Sequence, residues 1–184
     1  MTVLASHVYY FEVGAGVWRG NFTFHVTSWR RLTQSRVGLK HQLLVLAMHV
    51  TQRIGGAARL DSTILPQPTE GEFGVAENTV KISKLGFPLY LLRERYLLSG
   101  DGVGVTVEAA EQFGPLPRFM TRTFVYQAEI RDGGMASIYF MPLLGDEWTA
   151  TYHVGSDRKT LKGDLVCDWA RAKEVAQRVG GDST

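Results

Sequence analysis

A mainly β chain closed into an antiparallel barrel of about ten strands is the fold that this sequence predicts, and three observations carry it. Apolar and polar residues alternate with period two over most of the chain. Short Gly/Asp turns join the alternating runs, as antiparallel neighbours require. No βαβ rhythm is present, and a meander this long closes or folds over because open edges invite aggregation. The length of 184 residues, with 45% hydrophobic and 21% charged residues, fits one globular domain. It is read as residues 1–180, with a frayed tail at 181–184.

The elements follow in order. A weak strand is expected at Val8–Val13. From Val17 to Val26, Trp18, Gly20, Phe22, Phe24 and Val26 alternate with Arg19, Asn21, Thr23 and His25, which makes a half-buried strand with an aromatic face. In Arg36–Ile54, the residues Leu39, Leu43, Leu46, Ala47, Val50 and Ile54 share one helical face, and Gly55-Gly56 would stop the helix. The alternation of Leu44, Leu46, Met48 and Val50 also permits a strand there. Further strands are expected at Arg59–Leu65, Glu72–Ala76, Thr79–Leu85, Leu89–Leu98, Val103–Ala109, Thr123–Arg131, Met135–Met141 and Glu147–Val154. A last one carries Leu161 and Leu165 and ends at Cys167. Asp168 as N-cap, a stripe of Ala172, Val175, Ala176 and Val179, and Gly180-Gly181 predict a C-terminal helix over Trp169–Val179.

Composition excludes several function classes. The net charge of +2 is too balanced for a nucleic-acid binder. A single cysteine, Cys167, excludes an intrachain disulfide and a multi-cysteine metal site. No tract is long enough for an apolar membrane span, and the start lacks the pattern of a signal peptide. The expectation is a soluble cytoplasmic protein, monomer or homodimer. No zinc-protease, hydrolase-elbow, phosphate-loop or Cys-x-x-Cys motif occurs, so no metal or other cofactor is expected. Gly100-Asp101-Gly102-Val103-Gly104 lies between two strands and reads as a hairpin turn rather than a dinucleotide loop.

Aromatic residues concentrate on the inner parity: Trp18, Phe22, Phe24, Tyr96, Phe124, Tyr126, Trp148 and Tyr152. They form either a solid core or the lining of a small-molecule site, since a barrel of this size has room for one ligand. Glu94 shares parity with Tyr90, Leu92, Tyr96 and Leu98. If that face is interior, burial would raise its pKa and suit it to acid/base chemistry. If the interior is the other face, Arg93 and Arg95 enter instead. These two arginines could also clamp an acidic ligand at a barrel mouth. Cys167 reads as a buried structural thiol.

Gly16-Val17-Trp18 at the start of the first long strand, the strand meander and the expected C-terminal helix resemble lipocalins and other calycin barrels. The resemblance implies that Trp18 packs across the closed end and that a basic residue from a late strand, Arg158 or Lys162, stacks on it. The Arg36–Ile54 helix departs from lipocalins, though fatty-acid-binding barrels carry helices there as a lid. Heme-binding members of the group use a late-strand histidine. His153 has such a position, but its parity is opposite to that of Trp148 and Tyr152. The resemblance implies an interior that binds a small hydrophobic or amphipathic molecule. The alternatives are a barrel cyclase or isomerase using Glu94, and a structural or partner-binding module with a filled core. A curved sheet around one long helix is the competing fold.

Overall fold

Every strand of the sheet has two neighbours. In the computed structural model, strands β1 (Gly16–Val26), β2 (Ala58–Pro66), β3 (Gly74–Lys84), β4 (Phe87–Leu98), β5 (Gly104–Phe113), β6 (Arg122–Arg131), β7 (Gly134–Met141), β8 (Asp146–Val154), β9 (Thr160–Val166) and β10 (Ala170–Val179) form one closed barrel. Each strand pairs antiparallel with the next, and β1 pairs with both β2 and β10. The structure describes residues 11, 13–35, 37–54, 56–66, 74–98, 104–114, 121–131, 134–142 and 144–180. The turns expected at Ser99–Gly102 and Asp132-Gly133, most of the loops around Pro66–Gly71 and Gly114–Pro117, and the tail from residue 181 lie outside these residues.

Period two decides which face is inside. In β1, Trp18, Phe22, Phe24 and Val26 are buried, while Arg19, Asn21, Thr23 and His25 are exposed. Gly20 holds the inward position opposite Ala176. A Cβ there would lie 1.9 Å from the Val175 carbonyl oxygen, so β1 and β10 close the barrel across a residue without a side chain. Gly16, at the start of β1, has φ 132°, a conformation that favours glycine.

Two helices fill the one long connection, between β1 and β2: α1 (Trp29–Gln34) and α2 (Leu39–Arg53). Ser28 caps α1, its hydroxyl accepting from the Arg31 amide. The backbone N–H groups of Thr27 and Ser28 donate to the Trp169 carbonyl at 2.8 and 3.2 Å and tie this connection to the start of β10. The helical reading of 36–54 therefore holds over Leu39–Arg53, ending just ahead of Gly56 with φ 80°. Its buried side is Val45 and His49, with Met48 packed beside them. The aliphatic stripe read from the sequence is the outer face. No helix among the described residues is long and apolar enough to cross a membrane.

Three expectations need correction. Trp169–Val179 is not a helix but strand β10, with Ala170, Ala172, Glu174 and Ala176 inside and Arg171, Lys173, Val175 and Gln177 outside. Its Ala-, Lys-, Glu- and Gln-rich composition favours helix, but β1 and β9 each need a partner, and closure overrides propensity. The two strands expected at Glu72–Ala76 and Thr79–Leu85 are one continuous strand, β3. Of the strand expected at Val8–Val13, the described Phe11 and Val13 are helical, and Phe11 packs on Tyr96 with ring centroids 5.0 Å apart.

Candidate functional site

The barrel has a filled end and an end covered by α2. At the filled end, Trp18 donates its indole N–H to the Gly14 carbonyl at 2.8 Å. Arg178 lies over its ring, 4.8 Å from the centroid, and donates to the Val13 carbonyl. A basic residue from a late strand thus stacks on the tryptophan, as the resemblance implied. It is Arg178, however, because Arg158 and Lys162 are both exposed.

Of the two faces that the sequence left open in β4, the even one is interior: Glu94 is buried, and Arg93 and Arg95 are exposed. The Glu94 carboxylate accepts from Asn78 Nδ2 at 3.0 Å, Tyr96 Oη at 2.7 Å and Tyr126 Oη at 2.6 Å. The Ser62 hydroxyl donates to Asn78 Oδ1 at 3.0 Å and extends the network. Tyr126, Phe124 and Tyr139 stack, the tightest pair being Tyr126–Tyr139 at 4.6 Å. Three donors converge on one buried acceptor here, an arrangement that fixes side chains.

Under α2 the interior is different. A cavity lies among Phe22, Phe24, Val80, Ile82, Leu92 and Phe113, with Met48, Thr51 and Gln52 of α2 forming its cover. Water-sized molecules find about 50 Å³ of room in it, enough for a few waters. Its wall is mostly apolar, and the polar groups in it are few. Tyr90 donates to Glu111 Oε2 at 2.9 Å. Glu174 is buried in the wall, and no hydrogen bond reaches its carboxyl among the described residues. Burial and, second, the negative charge of Glu94 push its pKa up to about 8. Burial, and then the nearby carboxyl groups, raise the hydroxyl pKa values of Tyr90, Tyr139 and Tyr152 well above the usual value. The indole N–H of Trp148, also in this wall, is buried with no acceptor among the described residues.

Gly163 holds this arrangement open. It pairs with Tyr152 on one side and Glu174 on the other. A Cβ at Gly163 would fall 2.7 Å from the Tyr152 ring and 3.3 Å from Glu174 Cβ. The missing side chain lets the phenol lie across the strand toward the acid.

Of the residues selected from the sequence, Phe22, Phe24, Trp148 and Tyr152 line this cavity. Trp18, Tyr96 and Tyr126 belong to the filled end, and Phe124 is half-buried in the aromatic stack. Glu94 is held in its network rather than in the cavity wall. Arg93 and Arg95 are on the outside, where Arg95 meets Glu108 at 3.8 Å. His153 is exposed. Burial raises the Cys167 thiol to about 11, which leaves it a poor nucleophile at neutral pH. Sequence reading missed Glu174 because its strand reads as a helix. It missed Tyr139, whose inward parity with Met135, Ser137 and Met141 was available.

No protein-family model matches the chain, and no curated protein sequence matches it significantly.

Proposed function

We propose that the barrel binds a small, mostly apolar molecule in the cavity beneath α2, and that Glu174 meets its one polar end. The observation that carries this reading is a buried carboxyl that no hydrogen bond reaches among the described residues, in a mostly apolar wall that also holds an indole N–H without an acceptor among them. Each group left unpaired costs about 1–3 kcal/mol, a cost that a ligand carrying a hydroxyl, carbonyl or amine would remove. Ligands ending in a carboxylate are disfavoured, because Glu94, Glu111 and Glu174 all face the interior. A calycin-like assignment is supported by the pairing of Trp18 with Arg178 at the filled end.

A second reading, a barrel enzyme of the cyclase or isomerase kind, is favoured by one observation. A carboxyl with a pKa of about 8 holds its proton at neutral pH and suits a general acid. In that reading Glu174 transfers the proton, while Glu94 positions the tyrosines.

Native mass spectrometry of the freshly purified protein tests the common premise. A neutral or basic small molecule released on denaturation supports interior binding. Retention of a long-chain acid instead would contradict the role given to Glu174. Glu174→Gln separates the two readings once a ligand is in hand. A binder keeps its affinity within about tenfold, the value of one hydrogen bond. An enzyme keeps binding and loses turnover by about two orders of magnitude or more.

A further inference from the structure

The outer face of α2 is the least expected surface of the molecule. Leu39, Leu43, Leu46, Val50 and Ile54 form one stripe along it, each between 44% and 72% exposed. The opposite side is also apolar, with Val45 and Met48 on the barrel. A helix apolar on both sides is ordinarily covered on both, whereas among the described residues this one is covered on the inner side only. Leu85 and Phe87, on the turn between β3 and β4, are exposed as well. The Lys84 ammonium donates to the carbonyls of Gln52 and Gly56, which fixes this turn against the C-terminal end of α2. The patch thus runs from one end of a helix of about 22 Å onto a neighbouring turn. Trp29, itself exposed, packs edge-on against His49 of α2 at 5.2 Å.

Charge completes the pattern. Between Val13 and Leu60 the chain has seven lysines and arginines and no aspartate or glutamate, although the whole chain is nearly balanced at 20 against 18. Arg30, Arg31 and Arg53 of this stretch are exposed on the two helices.

We propose that the outer face of α2, with the Leu85–Phe87 turn and Trp29, docks on an anionic lipid bilayer. An aliphatic stripe on a helix pair that carries exposed arginines and an exposed indole, and no acidic residue of its own, suits the interface of a charged membrane. A second copy of the chain would bring the exposed arginines of two such helix pairs together, against their mutual repulsion. A nucleic acid would use the arginines but leave the stripe in water. This docking is independent of what the cavity holds.

Trp29 makes the test specific. It is 42% exposed, while Trp18, Trp148 and Trp169 are fully buried, so a change in emission on docking reports this face. The full-length protein is mixed with vesicles of phosphatidylcholine alone, and of phosphatidylcholine and phosphatidylserine in equal parts. Co-sedimentation and Trp29 emission are then followed. The expected result is sedimentation and a blue shift with the anionic vesicles, both reversed by high salt. Leu43→Asn with Val50→Asn should weaken binding roughly tenfold or more, and Arg30→Glu with Arg53→Glu should weaken it too. All four side chains are exposed, so unfolding midpoints should match the parent and separate lost docking from lost fold. Three results would each overturn the proposal. One is no binding to the anionic vesicles. Another is binding that survives Leu43→Asn with Val50→Asn. The third is a dimer dissolved by those substitutions in a protein that ignores vesicles.

Discussion

The two ends of the barrel share the same strands and the same alternation, yet they treat a buried carboxyl group in opposite ways. At the filled end, Glu94 has three donors within 3.0 Å. Beneath α2, Glu174 has none among the described residues. A satisfied buried acid holds its surroundings in place, whereas an unsatisfied one raises the energy of the empty fold. The difference teaches that burial alone does not mark a functional acid. In the function proposed for Glu174, what marks it is burial without a partner, next to open volume.

The largest expected effect breaks the filled end. Glu94→Ala strands the hydroxyls of Tyr96 and Tyr126 and the amide of Asn78, and it opens a void. A loss of about 3–5 kcal/mol is expected, read from urea unfolding. A loss under about 1 kcal/mol would mean that the network contributes little.

Glu174→Gln should do the reverse. The folded pKa, about 8, lies above the ordinary 4.5, so the fold holds this proton where the unfolded chain has released it. Stability from Glu174 is therefore complete below pH 4.5 and is lost as pH rises toward about 8. The glutamine variant should match the parent at acid pH and exceed it above pH 8, by on the order of 4 kcal/mol. Urea titrations at the two pH extremes check this, and a constant difference between them would count against it.

Part of this contrast was legible in the sequence. The alternation in β1, β6 and β8 marked their inward faces, whereas in β4 both faces carry leucines and at least one charged residue, so the sequence left the side of Glu94 open. What hid was the acid under α2. Strand β10 carries Glu174 and Arg178 at inward positions, and two interior charges erase the apolar side of a period-two pattern. The remaining alanines, lysine and glutamine have helical propensity, so local signals pointed away from a strand that only closure requires. The stripe on α2 misled differently. Periodicity shows that residues share a face, but not whether that face meets the barrel or the outside.

A smaller effect should sharpen the comparison. Gly163→Ala presses on Tyr152 and Glu174 and should cost about 1–3 kcal/mol, while lowering affinity for an apolar probe. Tyr126→Phe removes one of three donors at the other end and should cost about 1 kcal/mol, with no change in probe affinity. The smallest effect concerns Cys167. Its thiol, raised to about 11, should react with iodoacetamide far more slowly in the folded protein than in urea at neutral pH. Equal rates would contradict its partial burial, which falls short of the fully buried thiol expected from the sequence.

The most direct measurement is a titration of a neutral naphthylamine probe against the parent protein, Ala172→Phe and Tyr126→Phe. Ala172 is a small residue in the cavity wall, so a phenyl group there fills the space beneath α2. Saturable binding to the parent and to Tyr126→Phe, with none to Ala172→Phe, is the expected result. Binding that persists in Ala172→Phe, in a variant that still unfolds cooperatively, would place the ligand elsewhere and contradict a site under α2.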